Sequence, residues 1–218
     1  MTTNTGGRSG LWARVGARIY DPFLALGEHR GMRTRRRALL SRAQGRVLEL
    51  GAGTGLNLAH YPDDVELVLS EPEPAMRAAL ERRLARSGRP ASIVVAPAEA
   101  LPFPDGSFDT VVSTLVLCTV GDPEAAIAEA RRVLRPGGRL LFLEHVRGAS
   151  PRLARWQDRL EAPWAAFAQG CHCNRPTEEL LAGAVRLERV ERARWSGMPA
   201  IVRPLIAGEA QIRPSRSA

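Results

Sequence analysis

The sequence of 218 residues predicts a single α/β domain built on a doubly wound, mostly parallel sheet of seven strands. Short apolar runs of strand length alternate with amphipathic helical segments, which is typical of a parallel sheet covered by helices on both faces. The sequence contains no internal repeat and no linker that would divide it. We therefore assign residues 1–10 to a flexible N-terminus, residues 11–44 to an N-terminal helical cap and residues 45–213 to the main domain.

The predicted elements follow one another in a regular order. Residues 11–44 are helical in pattern, with interruptions expected at Pro22 and Gly27. Five strands are predicted next, at 46–50, 65–70, 91–96, 108–116 and 139–146. Helices are predicted at 75–87, from the capping residue Asp122 to Leu134, after Pro151 and from a cap at Thr177. Two weaker strand-like runs, at 187–195 and 200–207, complete the sheet.

The composition excludes several classes of protein. The chain is 44% hydrophobic, has a formal net charge of +8 and carries arginine at all of its 31 basic positions. The arginines are scattered apart from Arg33 and Arg35–Arg37, where we expect a solvated helix face, and aromatic residues are too few for a platform that stacks single-stranded nucleic acid. We expect no nucleic-acid partner, although contact with a membrane surface stays open.

The cysteines and the N-terminus indicate a cytoplasmic protein. An odd count of three cysteines, at positions 118, 171 and 173, does not form a disulfide framework and favours a reducing compartment. The first ten residues hold no apolar segment, so we expect no signal peptide, and the longest apolar runs are too short to span a bilayer.

The first candidate site is the glycine loop that follows the first predicted strand, Gly51-Ala52-Gly53-Thr54-Gly55. A loop at this place, at the carboxyl end of a strand, can bring a ligand close to the backbone. It is not a P-loop, because the chain has no lysine, and it is not a dinucleotide fingerprint, because the sixth position is Leu56. For the glycines alone, a plain tight turn is an equally good interpretation.

An acidic residue distinguishes these interpretations. Glu71 ends the second predicted strand twenty residues after Gly51, the spacing at which an acid accepts hydrogen bonds from ribose hydroxyls. Residues 97–109 then follow the third strand, which we expect next to the first, so Ala98 and Glu99 could reach an adenine ring. The loop and the acid together favour the binding of an adenosine group.

At this point the sequence resembles the class I S-adenosylmethionine-dependent methyltransferases with a core of the ubiquinone-methyltransferase type, which have a Rossmann-like fold. The resemblance rests on the glycine loop, Glu71, the segment Leu101-Pro102-Phe103-Pro104-Asp105-Gly106-Ser107-Phe108-Asp109 and the segment Leu134-Arg135-Pro136-Gly137-Gly138. It covers residues 46–146. Many members of the class have an acid at the position of Pro97, so here Glu99 or backbone groups must contact the adenine.

A narrower resemblance is to the methyltransferase-like thiol S-methyltransferases. It rests on Cys118-Thr119-Val120, Glu144-His145-Val146, Trp156-Gln157, Pro163-Trp164, Gly170-Cys171 and Arg203-Pro204. Cys173-Asn174-Arg175 stands where that group usually has Leu-Thr-Arg. Animal members carry an N-terminal membrane anchor. We expect no such segment in this sequence, so we do not infer a membrane location from the resemblance.

The resemblance implies a methyltransferase that uses S-adenosyl-L-methionine. The residues expected at the cofactor are Glu49, Gly51, Ala52, Gly53, Gly55, Glu71, Pro72, Ala98, Glu99, Thr114 and Leu115. A thiol acceptor has a pKa of roughly 8.5 or above, so a base would help at neutral pH. His145 is the first candidate for that base and His172 the second.

Two other expectations concern metal and acceptor. Cys171-His172-Cys173 invites comparison with a zinc site, but neighbouring side chains in an extended segment point to opposite sides, and we expect no metal. Cys118 and Trp156, Trp164 and Trp195 are expected in the core or a pocket wall.

The acceptor is expected to be a small molecule such as a thiol, with a phospholipid amine or a quinone precursor as alternatives. A regulator that binds the cofactor without catalysis, held to nucleic acid by its arginines, is the alternative from another class.

Overall fold

The protein forms one seven-stranded sheet covered by helices on both faces. The computed structural model describes the backbone of residues 10–212 and the side chains of residues 19–212. The predicted flexible N-terminus lies outside the described residues, except that Gly10 begins the first helix.

The sheet confirms the predicted fold class. The strands are β1 Arg46–Leu50, β2 Glu66–Ser70, β3 Ala91–Val94, β4 Phe108–Thr114, β5 Leu134–His145, β6 Arg186–Arg194 and β7 Pro204–Gln211. Their order is β3-β2-β1-β4-β5-β7-β6, with β1 to β5 parallel and β7 antiparallel to both of its neighbours. The expectation that β3 lies next to β1 was wrong, because β2 pairs with both strands and separates them.

Six α-helices surround the sheet in the described part of the chain. They are α1 Gly10–Gly27, α2 Arg33–Leu40, α3 Pro74–Ser87, α4 Pro123–Val133, α5 Pro151–Phe167 and α6 Thr177–Ala184. As predicted, the Asp122 carboxylate caps α4 by accepting hydrogen bonds from the backbone N–H groups of Glu124 and Ala125. Leu24, Leu39 and Leu80 place α1, α2 and α3 against one face of the sheet, while Ile127 and Leu181 place α4 and α6 against the other.

Three local predictions were wrong. Pro22 lies within α1 and does not interrupt it, whereas α1 does end at Gly27. The chain then continues in a π-helical turn, Glu28–Met32, where Arg30 and Gly31 leave the helical region. Pro176 occupies the N-cap of α6, and the Thr177 hydroxyl donates to the His145 carbonyl oxygen over 2.9 Å. β5 begins at Leu134 rather than at Arg139, because its pairing with β4 starts before the glycines and shifts register across them.

Candidate active site

A cavity of about 380 Å³ opens at the carboxyl ends of the parallel strands, where α/β sheets bind ligands. One half is built by the glycine loop and by the residues that follow β2 and β3. The other half is built by α1, by the turn after β4, by the last residue of β5, by the end of α5 and by the segment 195–202.

Two of the predicted loop glycines, Gly51 and Gly53, line the cavity. Gly53 has a φ of +58°, and a Cβ added there would meet only the Gly51 carbonyl oxygen, at 3.9 Å. A side chain at this position would therefore project into the cavity, so the backbone is left open to a ligand. Gly55 has a different reason to be glycine, because a Cβ there would lie 2.7 Å from Leu80 of α3.

The Glu71 carboxylate lies at the edge of this loop. It is 5% exposed, lines the cavity and accepts backbone hydrogen bonds from Gly53 (2.7 Å, to Oε2) and Glu73 (2.9 Å, to Oε1). Burial raises its pKa, and these two hydrogen bonds offset part of the shift. Each oxygen keeps a further lone pair, so the carboxylate can accept two hydroxyl groups, as adenosine binding requires. Pro72 lines the cavity beside it.

Ala98, Glu99 and Leu115 also line the cavity. Oε1 of Glu99 accepts backbone hydrogen bonds from Gly121 (2.8 Å) and Asp122 (3.4 Å), so this side chain anchors the start of α4. Leu115 has a φ of +60°, which is unfavourable for a branched residue, and it is held there by a 2.8 Å hydrogen bond from its N–H to the Leu143 carbonyl oxygen. Strained backbone of this kind concentrates at functional sites.

Four of the predicted cofactor residues do not line the cavity: Glu49, Ala52, Gly55 and Thr114. The Asn57 amide donates to Oε1 of Glu49 and to the Thr114 hydroxyl, both over 2.8 Å, and the Tyr61 hydroxyl donates to Oε2 of Glu49 over 2.8 Å. Burial raises the pKa of Glu49 to about 7, with these hydrogen bonds opposing the shift. A direct contact of these four residues with the cofactor stays a prediction.

The same buried network reaches the N-terminal helices. Arg36 donates to the Asn57 amide oxygen over 2.9 Å and to the Glu28 carboxylate over 3.0 Å. Arg36 is 3% exposed, so the prediction of a wholly solvated arginine run was wrong at this position, whereas Arg33 and Arg37 are exposed. The network fixes the N-terminal helices against the ends of β1 and β4.

The other half of the cavity is aromatic and apolar. Phe23, Trp164 and Phe167 form a cluster with ring centroids 5.4–6.4 Å apart. Trp195 lines the cavity as well, so the predictions for Trp164 and Trp195 are confirmed. The prediction for Trp156 was wrong, because its side chain is 52% exposed and does not line the cavity.

His145 ends β5 in this half and stacks on Trp195, with the ring centroids 5.6 Å apart. Burial lowers its pKa to about 4, although the carbonyl groups of Pro204 and Val202 offset part of the shift. The imidazole is therefore neutral at pH 7 and a weak acceptor for a thiol proton. His172, the second candidate base, pairs instead with the carboxylate of Glu161 and does not line the cavity.

Sequence reasoning missed Glu144, which is fully buried next to His145. Its Oε1 accepts a 2.7 Å hydrogen bond from the Ser113 hydroxyl and a 3.0 Å bond from the Val116 N–H, which fixes the turn after β4. Burial raises its pKa to about 7. A glutamate inside an otherwise apolar strand was the available signal, because an acid at such a position needs a specific partner.

The fold, the open glycine loop and the buried acid at the end of β2 define a class I methyltransferase. The Methyltransferase domain family model matches residues 48–142. Over 200 residues the chain is 36% identical to the thiol S-methyltransferase TMT1B of Homo sapiens, covering 83% of this chain and 82% of that protein. It is 40% identical over 119 residues to the demethylmenaquinone methyltransferase of Thermus thermophilus, covering 52% of this chain and 54% of that protein.

Among solved structures, the fold resembles a SAM-dependent methyltransferase of Thermotoga maritima described as a possible histamine N-methyltransferase. The TM-score is 0.66 at 21% identity, covering 93% of this chain and 100% of that one. The chain belongs to the S-adenosylmethionine-dependent methyltransferases, in the group that contains the thiol S-methyltransferases. It transfers a methyl group from S-adenosylmethionine to a small-molecule acceptor, which confirms the predicted class, cofactor and reaction.

Proposed function

We propose that the acceptor is an uncharged, lipophilic thiol, which the protein methylates on sulfur. The observation that carries this proposal is the character of the acceptor half of the cavity. Among its described lining residues, from Ile19 on α1 to Val202, none carries a formal charge when His145 is neutral. Burying a charged acceptor there without a partner would cost several kcal/mol, whereas burial of an apolar chain is favourable.

The cofactor half supplies the complementary part of the site. S-adenosylmethionine, when bound, provides a methyl group that is already activated by the positive charge on its sulfur. Glu71 would hold the ribose, Gly51 and Gly53 would leave room for the cofactor beside the backbone, and Ala98 would pack against the adenine. Leu115 directly follows β4 between the two halves, so it can align the acceptor with the methyl carbon. Alignment and exclusion of water can supply much of the rate.

Similarity to known enzymes supports a thiol over a quinone precursor. The similarity to the thiol S-methyltransferase covers 83% of the chain, whereas that to the demethylmenaquinone methyltransferase covers 52%. The residues that line the acceptor half come largely from α1, α5 and the segment 195–202, outside the matched methyltransferase domain. A quinone precursor is also apolar and is the second candidate.

A matched pair of acceptors tests the charge argument. Turnover of hexanethiol is compared with that of a thiol of the same chain length that ends in a carboxylate, by measuring the thioether and S-adenosylhomocysteine. We expect the charged thiol to react at least about 100-fold less efficiently, because the cavity offers its carboxylate no partner. Equal efficiency, or turnover of a demethylquinone with no turnover of thiols, would refute the proposed acceptor.

Two tryptophans on α5 provide the matched variants. Trp164→Ala removes a ring from the cavity wall, and we expect KM for hexanethiol to rise by roughly tenfold or more. Trp156→Ala removes an exposed ring from the same helix and should leave KM unchanged. An equal response of the two variants would place the acceptor elsewhere.

We also propose a cytoplasmic location and no nucleic-acid partner. Three free cysteines support a reducing compartment. Ion pairs of Arg132 with Glu129 and Asp105, and of Arg147 with Asp158, support the second point, because these arginines are already neutralised locally. In the described part of the chain, no helix has both the length and the apolar character needed to cross a bilayer.

A further inference from the structure

We propose that Cys118, His145 and Cys171 form a zinc site whose fourth position faces the acceptor half of the cavity. The three residues come from three different parts of the chain: the turn after β4, the end of β5 and the loop after α5. Their candidate ligand atoms all lie within 4.8 Å of one another, and all three side chains line the cavity. The suggestion that the bound acceptor thiol is the fourth ligand rests on the proposed function.

The geometry is close to that of a bound ion. With Zn–S distances of about 2.3 Å and Zn–N distances of about 2.1 Å, neighbouring ligand atoms of a tetrahedral site lie roughly 3.5–3.8 Å apart. The three atoms therefore need to move inward by about 1 Å at most. Two cysteines and one histidine, with an open fourth position, form a ligand set that is known from catalytic zinc sites.

All three side chains are buried, which favours an interaction among them that includes a ligand. Cys118 is 1% exposed, His145 5% and Cys171 6%. Nδ1 of His145 is fully buried and has no hydrogen-bond partner among the described residues, which is costly for a polar atom. An ion bound by the imidazole would supply the polar interaction that this buried side chain lacks.

Hydrogen bonds to backbone carbonyl groups hold the segments of the two cysteines together. The His172 N–H donates to the Cys118 carbonyl oxygen over 2.6 Å, and the Arg175 guanidinium donates to the Leu117 carbonyl oxygen over 2.6 Å. The buried Gln157 amide donates to the Cys173 carbonyl oxygen over 2.9 Å. The first two bonds join the loop that carries Cys171 to the turn that carries Cys118, so these two ligands are arranged in advance.

The charge of two thiolates and the types of ligand atom favour a divalent zinc ion. Two thiolates neutralise a divalent cation, so the occupied site adds no net charge to a half of the cavity that is otherwise uncharged. Thiolate and imidazole ligands favour zinc over magnesium or calcium, which prefer oxygen. A thiolate bound as fourth ligand gives the centre one negative charge, which attracts the sulfonium of the cofactor.

The reaction at such a site needs no reactant other than the thiol and S-adenosylmethionine. The S–H bond of the acceptor breaks as its sulfur binds the ion, and the proton is released to solvent. The sulfur lone pair then forms a bond to the methyl carbon, while the bond from that carbon to the sulfonium breaks and its electron pair stays on the cofactor sulfur. The products are a neutral thioether, which is a weak ligand and can leave, and S-adenosylhomocysteine.

The proposal differs from the expectation of no metal that the sequence supported. That expectation considered Cys171-His172-Cys173, and in the structure His172 pairs with Glu161 while Cys173 is buried in the apolar core. Only Cys171 of that motif belongs to the cluster. Its two partners are 53 and 26 positions earlier in the chain, a separation that no local spacing rule detects.

Metal binding by the reduced, chelator-treated full chain tests the proposal. We expect one Zn²⁺ per chain, and Co²⁺ as a spectroscopic probe should show the thiolate charge-transfer and tetrahedral ligand-field bands. Cys118→Ser, Cys171→Ser and His145→Asn should each weaken Zn²⁺ binding by about 100-fold or more. Cys173→Ser is the matched control and should bind as tightly as the natural chain, because Cys173 is not part of the cluster.

Binding of S-adenosylmethionine by each variant, measured by calorimetry, shows that the variant is folded. Absence of Zn²⁺ binding in the reduced chain, or equal loss of binding in Cys173→Ser, would overturn the proposal. So would a protein that binds no zinc but forms a disulfide between Cys118 and Cys171 in air. Thiol methylation that continues at full rate without any metal would refute the catalytic role while leaving the proposed acceptor intact, so the two proposals fail separately.

Discussion

The buried Glu49 predicts a specific pH dependence of stability. Its pKa is about 7 in the folded protein, against 4.5 for an unperturbed glutamate, because burial disfavours the ionised form. A raised acid pKa means that its stabilising contribution is fully present below about pH 4.5 and is lost as the pH rises through about 7. The shift corresponds to a loss on the order of 3 kcal/mol in the free energy of unfolding across that window.

Glu49→Gln keeps the shape of the side chain and removes its titration. We expect the variant to resemble the natural chain in stability at pH 5, where Glu49 is protonated in the folded state. At pH 8 the variant should be more stable by roughly 2–3 kcal/mol, because it has no buried charge. Urea denaturation without cofactor, monitored by tryptophan fluorescence at both pH values, gives the two free energies.

Glu66→Gln on the neighbouring strand β2 is the control, because Glu66 is exposed and a surface change should shift stability by at most about 0.5 kcal/mol at either pH. If the stability difference between Glu49→Gln and the natural chain is the same at pH 5 and pH 8, then Glu49 does not titrate as its burial requires, and the reasoning fails.

Three further predictions test the site and its supports. Glu71→Gln should weaken S-adenosylmethionine binding by about 10-fold to 150-fold, the value of one charge-assisted hydrogen bond, and calorimetry showing a change within about twofold would contradict the ribose assignment. Arg36→Met should destabilise the protein by about 3–5 kcal/mol in urea denaturation, because it leaves the Glu28 carboxylate buried without its partner, while Arg37→Met should change stability by at most about 0.5 kcal/mol. Gln157→Leu should cost about 3 kcal/mol or more, because several backbone groups lose their partner, and an unchanged Tm would contradict its role as an anchor.

The parts of the fold that local rules determine were predictable. The apolar period of β1 and β4, the Asp122 cap of α4 and the glycines after β1 each reflect an interaction between residues close in sequence. The interruption predicted at Pro22 was wrong because this proline is tolerated in α1, while the one predicted at Gly27 coincides with the end of that helix. A proline costs a helix one hydrogen bond, and tertiary packing can compensate for this.

The residues of the candidate site that come after the ends of strands were predictable from the sequence. Gly53 and Glu71 were found because both lie directly after parallel strands, which meet at one edge of the sheet. The buried position of Arg36 and the cluster of Cys118 and Cys171 were not predictable. The first depends on contacts of Arg36 with Glu28 and Asn57, and the second on the approach of the turn after β4 to the loop after α5. Such contacts leave no periodic signal in the sequence.

The two halves of the cavity come largely from different parts of the chain. The glycine loop, Glu71 and Ala98 lie within the matched methyltransferase domain, whereas Phe23, Trp164 and Trp195 lie outside it. With the two halves assigned as proposed, substitutions or insertions in the flanking segments can therefore change which acceptor fits without altering the half proposed to bind the cofactor. This modular arrangement lets a lineage acquire new acceptors by drift in its flanks. It also makes exchange of those flanks between relatives a practical route to enzymes with altered substrates.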